Sequence, residues 1–328
     1  HGSGRHLIQS LEQNDFARQA VAPENGIKKS SFFEILSTRG LEQLAHVYNG
    51  LMAEAAKILP KAHAHLGDLQ AIDGSLIDAV LSMTWADYQS GANKAKIHLG
   101  FDLHRGVPSR FFLSEGKADE RPFVCRILEP GQTGVMDRYY QCHRDFDQWQ
   151  GEGQHFICRI RANTRKTVLQ QHPVALGSVV FYDALCRLGT KGTNQTETPV
   201  RVVGYRVGKK SYWIATDRQD LSAEDVAAAY KLRWNIEIFF GWWKRHLKVY
   251  HLISRSQHGL MVQILAGLIT YLLLAIYCHE QYGERVGIKR VRELRNKIYN
   301  EVAQLERIEP VSPSGEIQSE MESATAIT

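Results

Sequence analysis

Cysteine is scarce in this sequence, and its spacing matches no cysteine motif. The five cysteines, Cys125, Cys142, Cys158, Cys186 and Cys278, are scattered, odd in number and contain no CxxC pair. This spacing argues against a zinc ribbon and against a disulfide framework. We therefore expect reduced, mostly buried thiols in a cytoplasmic protein.

Long apolar runs and nucleotide-binding motifs are also missing. The longest apolar run, residues 264–278, has roughly 15 residues, fewer than the ~20 needed to cross a bilayer. We predict that it forms a buried core helix and that the protein does not associate with a membrane. The chain has no glycine-rich phosphate loop, no GxGxxG and no nucleophile elbow, so an unrelated metabolic enzyme has no support.

What is present is an ordinary globular composition with a slight excess of positive charge. The 328 residues are 44% hydrophobic and 23% charged, and the formal net charge is +5. A chain of this length and composition can bury a sizeable core. Its mildly basic character suits a polyanionic partner, although many metabolic enzymes are equally basic.

The periodicity of the sequence changes along the chain and predicts an α/β fold, a mixed sheet flanked by helices. The first four residues read as a cloning remnant and carry no weight in the fold. The predicted regions are a helical N-terminal region (1–66), a strand-rich region (67–157), a β-rich insertion (158–218), a helical region (219–280), a basic C-terminal helix (281–308) and a disordered tail (309–328).

One helical segment combines an apolar face with a charged flank. We predict a continuous helix over residues 223–248, which contains YKLRWNIEIFFGWWK. At about 100° per residue, Arg233, Glu237 and Lys244 fall within an arc of roughly 60° beside the apolar face. A single acid among cations is what a site for both a metal ion and a phosphate backbone requires. Taken alone, the pattern equally fits a surface helix with an Arg233–Glu237 ion pair.

The spacing Tyr230-(2)-Arg233-(3)-Glu237-(6)-Lys244 resembles the Y-(2)-R-(3)-E-(6)-K signature of IS4-family transposases. The resemblance extends over nearly all of residues 28–300. It implies a ribonuclease-H-like (RNase-H-like) catalytic core formed by the regions 67–157 and 219–280, with the β-rich insertion domain between them.

Two aspartates upstream are candidates for the other carboxylates that this family carries. Asp73 in AIDGS and Asp137 in GVMDRYY are each predicted to end an apolar strand. Such a position is costly unless the aspartate pairs or binds metal, although each one alone also fits a turn or capping residue. Asp102, in GFDL, is the alternative for the first position. By resemblance, we predict that Asp73, Asp137 and Glu237 form a catalytic, metal-binding triad.

The resemblance also implies a reaction and its partners. Hard oxygen ligands without soft ones indicate Mg²⁺, with Mn²⁺ as a substitute, and the family implies two ions per site. The expected activity is cut-and-paste transposition, in which element ends are cleaved and the 3′-hydroxyl is joined to target DNA. The expected partners are double-stranded DNA, carrying terminal inverted repeats or the target, and a second copy in a synaptic homodimer at the bacterial or archaeal nucleoid.

Further residues are predicted to contact DNA. The resemblance places Tyr230, Arg233 and Lys244 at phosphates near the scissile bond, and Arg138 directly follows the second aspartate. Trp234 is predicted to stack on an unpaired base, with a partly buried core position as the alternative. The insertion carries cations interleaved with aromatic residues, which fits a nucleic-acid face or a solvated basic face: Arg159, Arg161, Arg165, Lys166, Lys191, Arg201, Arg206, Lys209 and Lys210, with Tyr205, Tyr212 and Trp213.

Two features depart from the family pattern. The bulky Tyr139 and Tyr140 follow Arg138, where the family often has glycine or a small acidic motif, and the region before residue 28 is short for an end-binding domain. Two alternative functions therefore stay open. One is a catalytically silent or repurposed transposase that acts as a DNA-binding protein, and the other is a metal-dependent DNA nuclease of the same fold.

Overall fold

A ten-stranded mixed sheet is the framework of this protein. The computed structural model describes residues 4–14, 18, 23, 25–79, 83–89, 92–246, 254 and 256–305, and the predicted disordered tail, 309–328, lies outside these residues. The strands are β1 (Leu69–Ala79), β2 (Asp87–Gln89), β3 (Ala92–Asp102), β4 (Val107–Glu115), β5 (Thr133–Met136), β6 (His155–Ile160), β7 (Lys166–Gln171), β8 (Val180–Leu188), β9 (Val200–Val207) and β10 (Lys210–Thr216).

The strand order is β2-β3-β1-β5-β6-β10-β9-β8-β7, and β4 pairs with β3. Strand β1 runs antiparallel to β3 and parallel to β5, and β5 runs parallel to β6. Antiparallel strands followed by a parallel pair form the centre of an RNase-H-like sheet, so the predicted fold class is confirmed. Strands β7 to β10, from the predicted insertion, extend this same sheet beyond β6.

Helices accompany the sheet at both ends of the described chain. They are α1 (Gly4–Gln13), α2 (Lys29–Thr38), α3 (Leu41–Ile58), α4 (Val124–Ile127), α5 (His143–Gly151), α6 (Ala223–Leu232), α7 (Trp234–His246), α8 (Gln257–Tyr282) and α9 (Ile288–Leu305). Residues 30–285 group into one compact unit, which holds the whole sheet, while α1 and α9 belong to a second unit.

Helix α8 is long and apolar enough to cross a membrane by length and composition alone. Half of its most apolar stretch is nevertheless buried inside the protein, and its buried side includes Leu260, Ile264, Leu268 and Leu272. The helix packs against α3 and β4. Helix α8 therefore packs like a core helix with one side buried and the other side exposed.

Three local predictions were wrong. Strand β1 does not end at Asp73, because pairing with β3 continues to Ala79. The strand predicted over residues 133–140 ends at Met136, because the side chain of Asp137 accepts a hydrogen bond from the amide of Tyr139 and starts a 3₁₀ turn. The helix predicted over residues 223–248 is interrupted at Arg233, between α6 and α7.

Candidate active site

The sheet brings Asp73 and Asp137 side by side. Strands β1 and β5 are parallel neighbours, and the last pair in their register joins Ala71 to Val135, two residues before each aspartate. Oδ1 of Asp73 accepts a hydrogen bond from the amide of Gly74 at 2.9 Å, and Oδ1 of Asp137 accepts one from Tyr139 at 2.7 Å. Asp137 therefore lies just after the end of β5, and Asp73 lies at the same level inside β1.

The environment of Asp73 disfavours its charged form. Burial is the main cause and raises the pKa of Asp73 to about 7. The negative charges of Glu120 and Asp137 raise it further, while Arg233 and the amide of Gly74 act in the opposite direction. A carboxylate that is both buried and close to other carboxylates is one that a cation would stabilise.

Glu237 reaches the same region from the helical side, but it is bound to a cation. Nη2 of Arg233 donates a hydrogen bond to Oε1 of Glu237 at 2.5 Å. Arg233 also interacts electrostatically with Asp73 and with the ring of Tyr230. The guanidinium thus links the aspartate pair to the third predicted ligand. The sequence pattern had left open a simple Arg233–Glu237 ion pair, and that pair is present.

The donor set fits a hard divalent cation in part. Among the described residues, Oδ2 of Asp73 and Oδ2 of Asp137 have no hydrogen-bond partner, and carboxylate oxygens are the ligands that Mg²⁺ and Mn²⁺ prefer. Among the residues that the structure describes, however, no three His, Cys, Asp or Glu side chains lie close enough together to hold a metal ion. The two aspartates thus fit a divalent cation, while the carboxylate of Glu237 is hydrogen-bonded to Arg233.

The other predicted residues of this helical segment have different surroundings. Tyr230 is 6% exposed, and its ring lies 6.4 Å from that of Tyr212. Nζ of Lys244 donates to the backbone carbonyl of Leu76 at 2.6 Å, which anchors α7 on β1. Trp234 is 58% exposed, so the alternative of a core position is wrong.

The cations predicted to contact DNA, on the insertion and directly after Asp137, divide into exposed and buried ones. Arg138, Lys191, Arg206, Lys209 and Lys210 are exposed. The last three lie at or beside the β9–β10 turn, and the register of β10 with β6 places that turn at the end of the sheet where β6 ends.

Arg201 is a correction to the predicted nucleic-acid face. It is 6% exposed, and its guanidinium donates to both carboxylate oxygens of Asp183, at 2.9 and 2.7 Å. Tyr205, 1% exposed, is also buried, so neither side chain is presented to a partner. The inward face of an interior strand explains both positions, because β9 lies between β8 and β10.

A carboxylate that the sequence did not single out lies next to the site. Glu120 accepts hydrogen bonds from Tyr140 at 2.8 Å and pairs with Lys96 at 3.2 Å. It also contributes to the raised pKa of Asp73. No local pattern marks Glu120, because its partners come from β3 and from the turn after β5.

Comparisons with known proteins agree with this fold. A family model described as the transposase DDE domain matches residues 65–273, which contain Asp73, Asp137 and Glu237. The chain is 27% identical over 258 residues to y4zB of Sinorhizobium fredii, described as a transposase, covering 75% of this chain and 71% of that protein.

Two further relatives are named as transposases of insertion sequences. The protein of element IS5377 from Geobacillus stearothermophilus is 27% identical over 58% of this chain and 52% of its own length. The protein of element IS4SA from Synechocystis is 23% identical over 68% of this chain and 64% of its own length. Because the family model matches more than half of the sequence, the chain belongs to the DDE transposase family, of the IS4 type.

Proposed function

We propose that this protein cleaves the ends of an insertion element and joins the freed 3′-hydroxyl to target DNA. As a DDE transposase it is an enzyme that acts on DNA, and DDE domains depend on divalent metal ions. One observation carries the proposal. Asp73 on β1 lies beside Asp137, the residue after the parallel strand β5, and the Arg233–Glu237 pair lies next to them.

Asp73, Asp137 and Glu237 would hold the metal, either Mg²⁺ or Mn²⁺ in its place. Two such ions, when bound, activate a water or a DNA 3′-hydroxyl and stabilise the leaving 3′-oxygen. Arg233 is a phosphate ligand of the right kind, because its guanidinium is charged and fork-shaped. In this proposal a DNA phosphate takes Arg233 away from Glu237, which frees the carboxylate for the metal site.

Three further residues of the same helical segment have separate roles in this proposal. Lys244 is tied to the carbonyl of Leu76, three residues beyond Asp73 on the same strand, so it fixes the distance between α7 and β1. Tyr230 packs under Arg233 and limits its movement. Trp234 projects into solvent beside Arg233, where its indole ring can stack on an unpaired base.

A basic, polar surface next to Asp137 supports binding of the DNA backbone. One open pocket of about 680 Å³ is lined by Asp137, Arg138, Tyr139 and Arg161, among others. A second pocket, of about 830 Å³, shares Arg161 and continues to the loop at Asn194. We call these two pockets together the Arg161 groove. Guanidinium groups and amide side chains are the usual contacts to phosphates.

The walls of the Arg161 groove are held in place by hydrogen bonds between separate segments. The backbone amide of Arg161 donates to Oε1 of Gln141 at 2.8 Å, and the side chain of His143 bonds to the carbonyl of Asn194 at 2.7 Å. The exposed Lys191 belongs to the same loop as Asn194. A preformed polar groove binds an extended polyanion without a large ordering cost.

The proposed partners are double-stranded DNA with the element's terminal inverted repeats, target DNA and a second copy of the protein in a synaptic complex. Residues 67–157 and 219–280 would be the catalytic core, and 158–218 an insertion domain that widens the DNA surface. The helical region 1–66 and the basic segment 281–308 would lie outside the core. The exposed Arg206, Lys209 and Lys210 extend the basic surface from the end of β6.

A second candidate function is a silent transposase that binds DNA without cutting it. One observation favours it, namely that Glu237 is paired with Arg233 and that no three-acid metal site is assembled among the described residues. In that case the salt bridge would be permanent and DNA would not separate its partners.

Cleavage of a duplex that carries the terminal repeat flanking the coding sequence separates the two functions. We expect the wild type to cut at the repeat boundary in Mg²⁺ or Mn²⁺, and Glu237→Ala to bind the same duplex without cutting it. Cutting at random positions would indicate a nuclease instead. Binding without cutting by the wild type would move the silent-transposase function to first place.

A further inference from the structure

The hydrogen-bond ladder between the two aspartate strands ends before it reaches the aspartates. Strands β1 and β5 pair only from Leu69–Thr133 to Ala71–Val135. Beyond this point β1 continues against β3, whereas the chain after β5 turns away at Asp137. The backbone pairing of the sheet therefore brings the two strands together but stops two residues short of Asp73 and Asp137.

A side-chain bridge joins β3 to the turn that follows β5. Glu120 lies before a short 3₁₀ turn and receives the hydroxyl of Tyr140 on Oε2 at 2.8 Å. Its other oxygen, Oε1, pairs with Nζ of Lys96 on β3 at 3.2 Å. Nζ of Lys96 also donates to the carbonyl of Ala118 at 2.9 Å, which fixes the backbone beside Glu120.

Two members of this bridge, Tyr140 and Glu120, lie next to the aspartates. Tyr140 is the last residue of the 3₁₀ turn that Asp137 caps, and its amide bonds back to the carbonyl of Asp137 at 3.3 Å. On the β1 side, the carboxylate of Glu120 lies against the backbone of Gly74, since a Cβ there would be 2.4 Å from Cδ of Glu120. The carboxylate thus occupies the space that a side chain at the neighbour of Asp73 would need.

The bridge is buried, so its members have few other hydrogen-bond partners. Tyr140 is 1% exposed and Lys96 is 9% exposed. Burial and the charge of Glu120 raise the pKa of Tyr140, so the hydroxyl keeps its proton and donates. A buried charged pair that also accepts a tyrosine hydroxyl has few alternative arrangements, because each unmade bond leaves a desolvated group.

We infer that Glu120, bridged to Lys96 and Tyr140, is a positioning residue that sets the spacing of Asp73 and Asp137 for metal binding. The inference rests on the proposed function of the two aspartates. Glu120 lies against Gly74 and pairs with Lys96, and its bond to Tyr140 reaches the turn at Asp137, so it holds the chain beside both aspartates. Residues that orient metal ligands typically change metal affinity or activity by 10- to 100-fold when they are replaced.

Mn²⁺ binding, measured from the signal of the free ion by electron paramagnetic resonance, tests this role without relying on cleavage. Glu120→Gln removes the charge that pairs with Lys96, and Tyr140→Phe removes only the hydroxyl. We expect each to weaken Mn²⁺ binding on the order of tenfold while the affinity for a DNA duplex stays unchanged. Gly74→Ala, which would displace the carboxylate of Glu120, is expected to have the same effect.

Glu54→Gln is the matched control, because it removes a Lys-paired carboxylate on the exposed surface of α3. It is expected to leave Mn²⁺ binding unchanged. If both Glu120→Gln and Tyr140→Phe bind Mn²⁺ with the affinity of the wild type, the positioning role is overturned and the proposed function stays intact. Mn²⁺ binding that is the same in Asp73→Asn as in the wild type would overturn both, because there would be no aspartate site to position.

Discussion

Arg233 and Glu237 form a salt bridge of 2.5 Å at the joint between α6 and α7. The guanidinium side chain is 12% exposed and the carboxylate side chain 34% exposed, so the pair faces the site rather than open solvent. Arg233 also interacts with Asp73, which makes it the connection between the strand and helix halves of the site. The pair is a resting arrangement that DNA is proposed to open.

Replacing Arg233 tests that proposal. Arg233→Ala removes the guanidinium that is proposed to leave Glu237 for a DNA phosphate, so we expect cleavage to be roughly 100- to 1,000-fold slower. Arg245→Ala is the control, because Arg245 is an exposed arginine on α7 whose Nε bonds only to the carbonyl of Gly241 among the described residues. Single-turnover cleavage rates for both variants measure the difference. A rate for Arg233→Ala equal to that of the control would show that the salt bridge has no part in the reaction.

The pKa of Asp73 predicts a stability that depends on pH. Burial raises this pKa from an ordinary value of 3.8 to about 7, so the folded protein holds a proton between these values that the unfolded chain has lost. The stability of the metal-free protein therefore falls as pH rises through this window. The Asp73→Asn variant has no charge to bury at this position. At pH 8.5 we expect its free energy of unfolding to exceed that of the wild type by on the order of 2 kcal/mol.

Urea unfolding in the presence of EDTA, at pH 5 and at pH 8.5, measures this effect. The gain of Asp73→Asn should be present at the higher pH and small at the lower one. Asp78→Asn is the control on the same strand, since Asp78 is exposed and pairs with Lys94 at 2.9 Å. Equal stability of Asp73→Asn and the wild type at pH 8.5 would mean that the site tolerates the buried charge. Added Mn²⁺ should stabilise the wild type more than the variant.

The buried Arg201–Asp183 pair predicts a large loss of stability when it is broken. Although burial raises the pKa of Asp183, Arg201 and His172 hold it below its ordinary value. Its contribution to stability is thus present above the ordinary pKa of 3.8 and is lost as pH falls through the lower folded value. Arg201→Met would leave a buried carboxylate without its main partner and lower the free energy of unfolding by about 3–5 kcal/mol at pH 7.

Replacing both partners separates this explanation from a simple loss of packing. The double variant Arg201→Met with Asp183→Leu is expected to recover most of the stability, because no unpaired charge is left. Urea unfolding at pH 7 measures both variants. A double variant as unstable as the single one would show that Arg201 acts through its bonds to the carbonyls of Leu221 and Arg218 instead.

The Arg161 groove predicts a salt-dependent contact with DNA. Arg161→Ala removes one cation from the surface that continues from Asp137, so the affinity for a duplex should fall several-fold. The slope of log affinity against log salt should shrink by about 1, as expected for one lost phosphate contact. Arg110→Ala removes an exposed arginine that pairs with Glu129, and it should leave the slope unchanged. An unchanged slope for Arg161→Ala would place the DNA elsewhere.

The sequence by itself indicated the family and most of the secondary structure. The spacing from Tyr230 to Lys244, together with Asp73 and Asp137, indicated the transposase family, and the alternation of apolar residues located most of the strands. These signals are local, because periodicity and motif spacing are properties of neighbouring residues. The assignment of the three acids as metal ligands stays a prediction.

Only the tertiary structure decided which charged side chains pair with each other and which are exposed. Arg201 belonged to a basic, aromatic pattern, yet the sheet buries it on Asp183, while Arg161 from the same pattern lines an open groove. Glu120 has no local signal, because Lys96 and Tyr140 come from segments about 20 residues away on either side. Burial and pairing between distant segments depend on how the strands are ordered, and a single stretch of sequence does not contain that information.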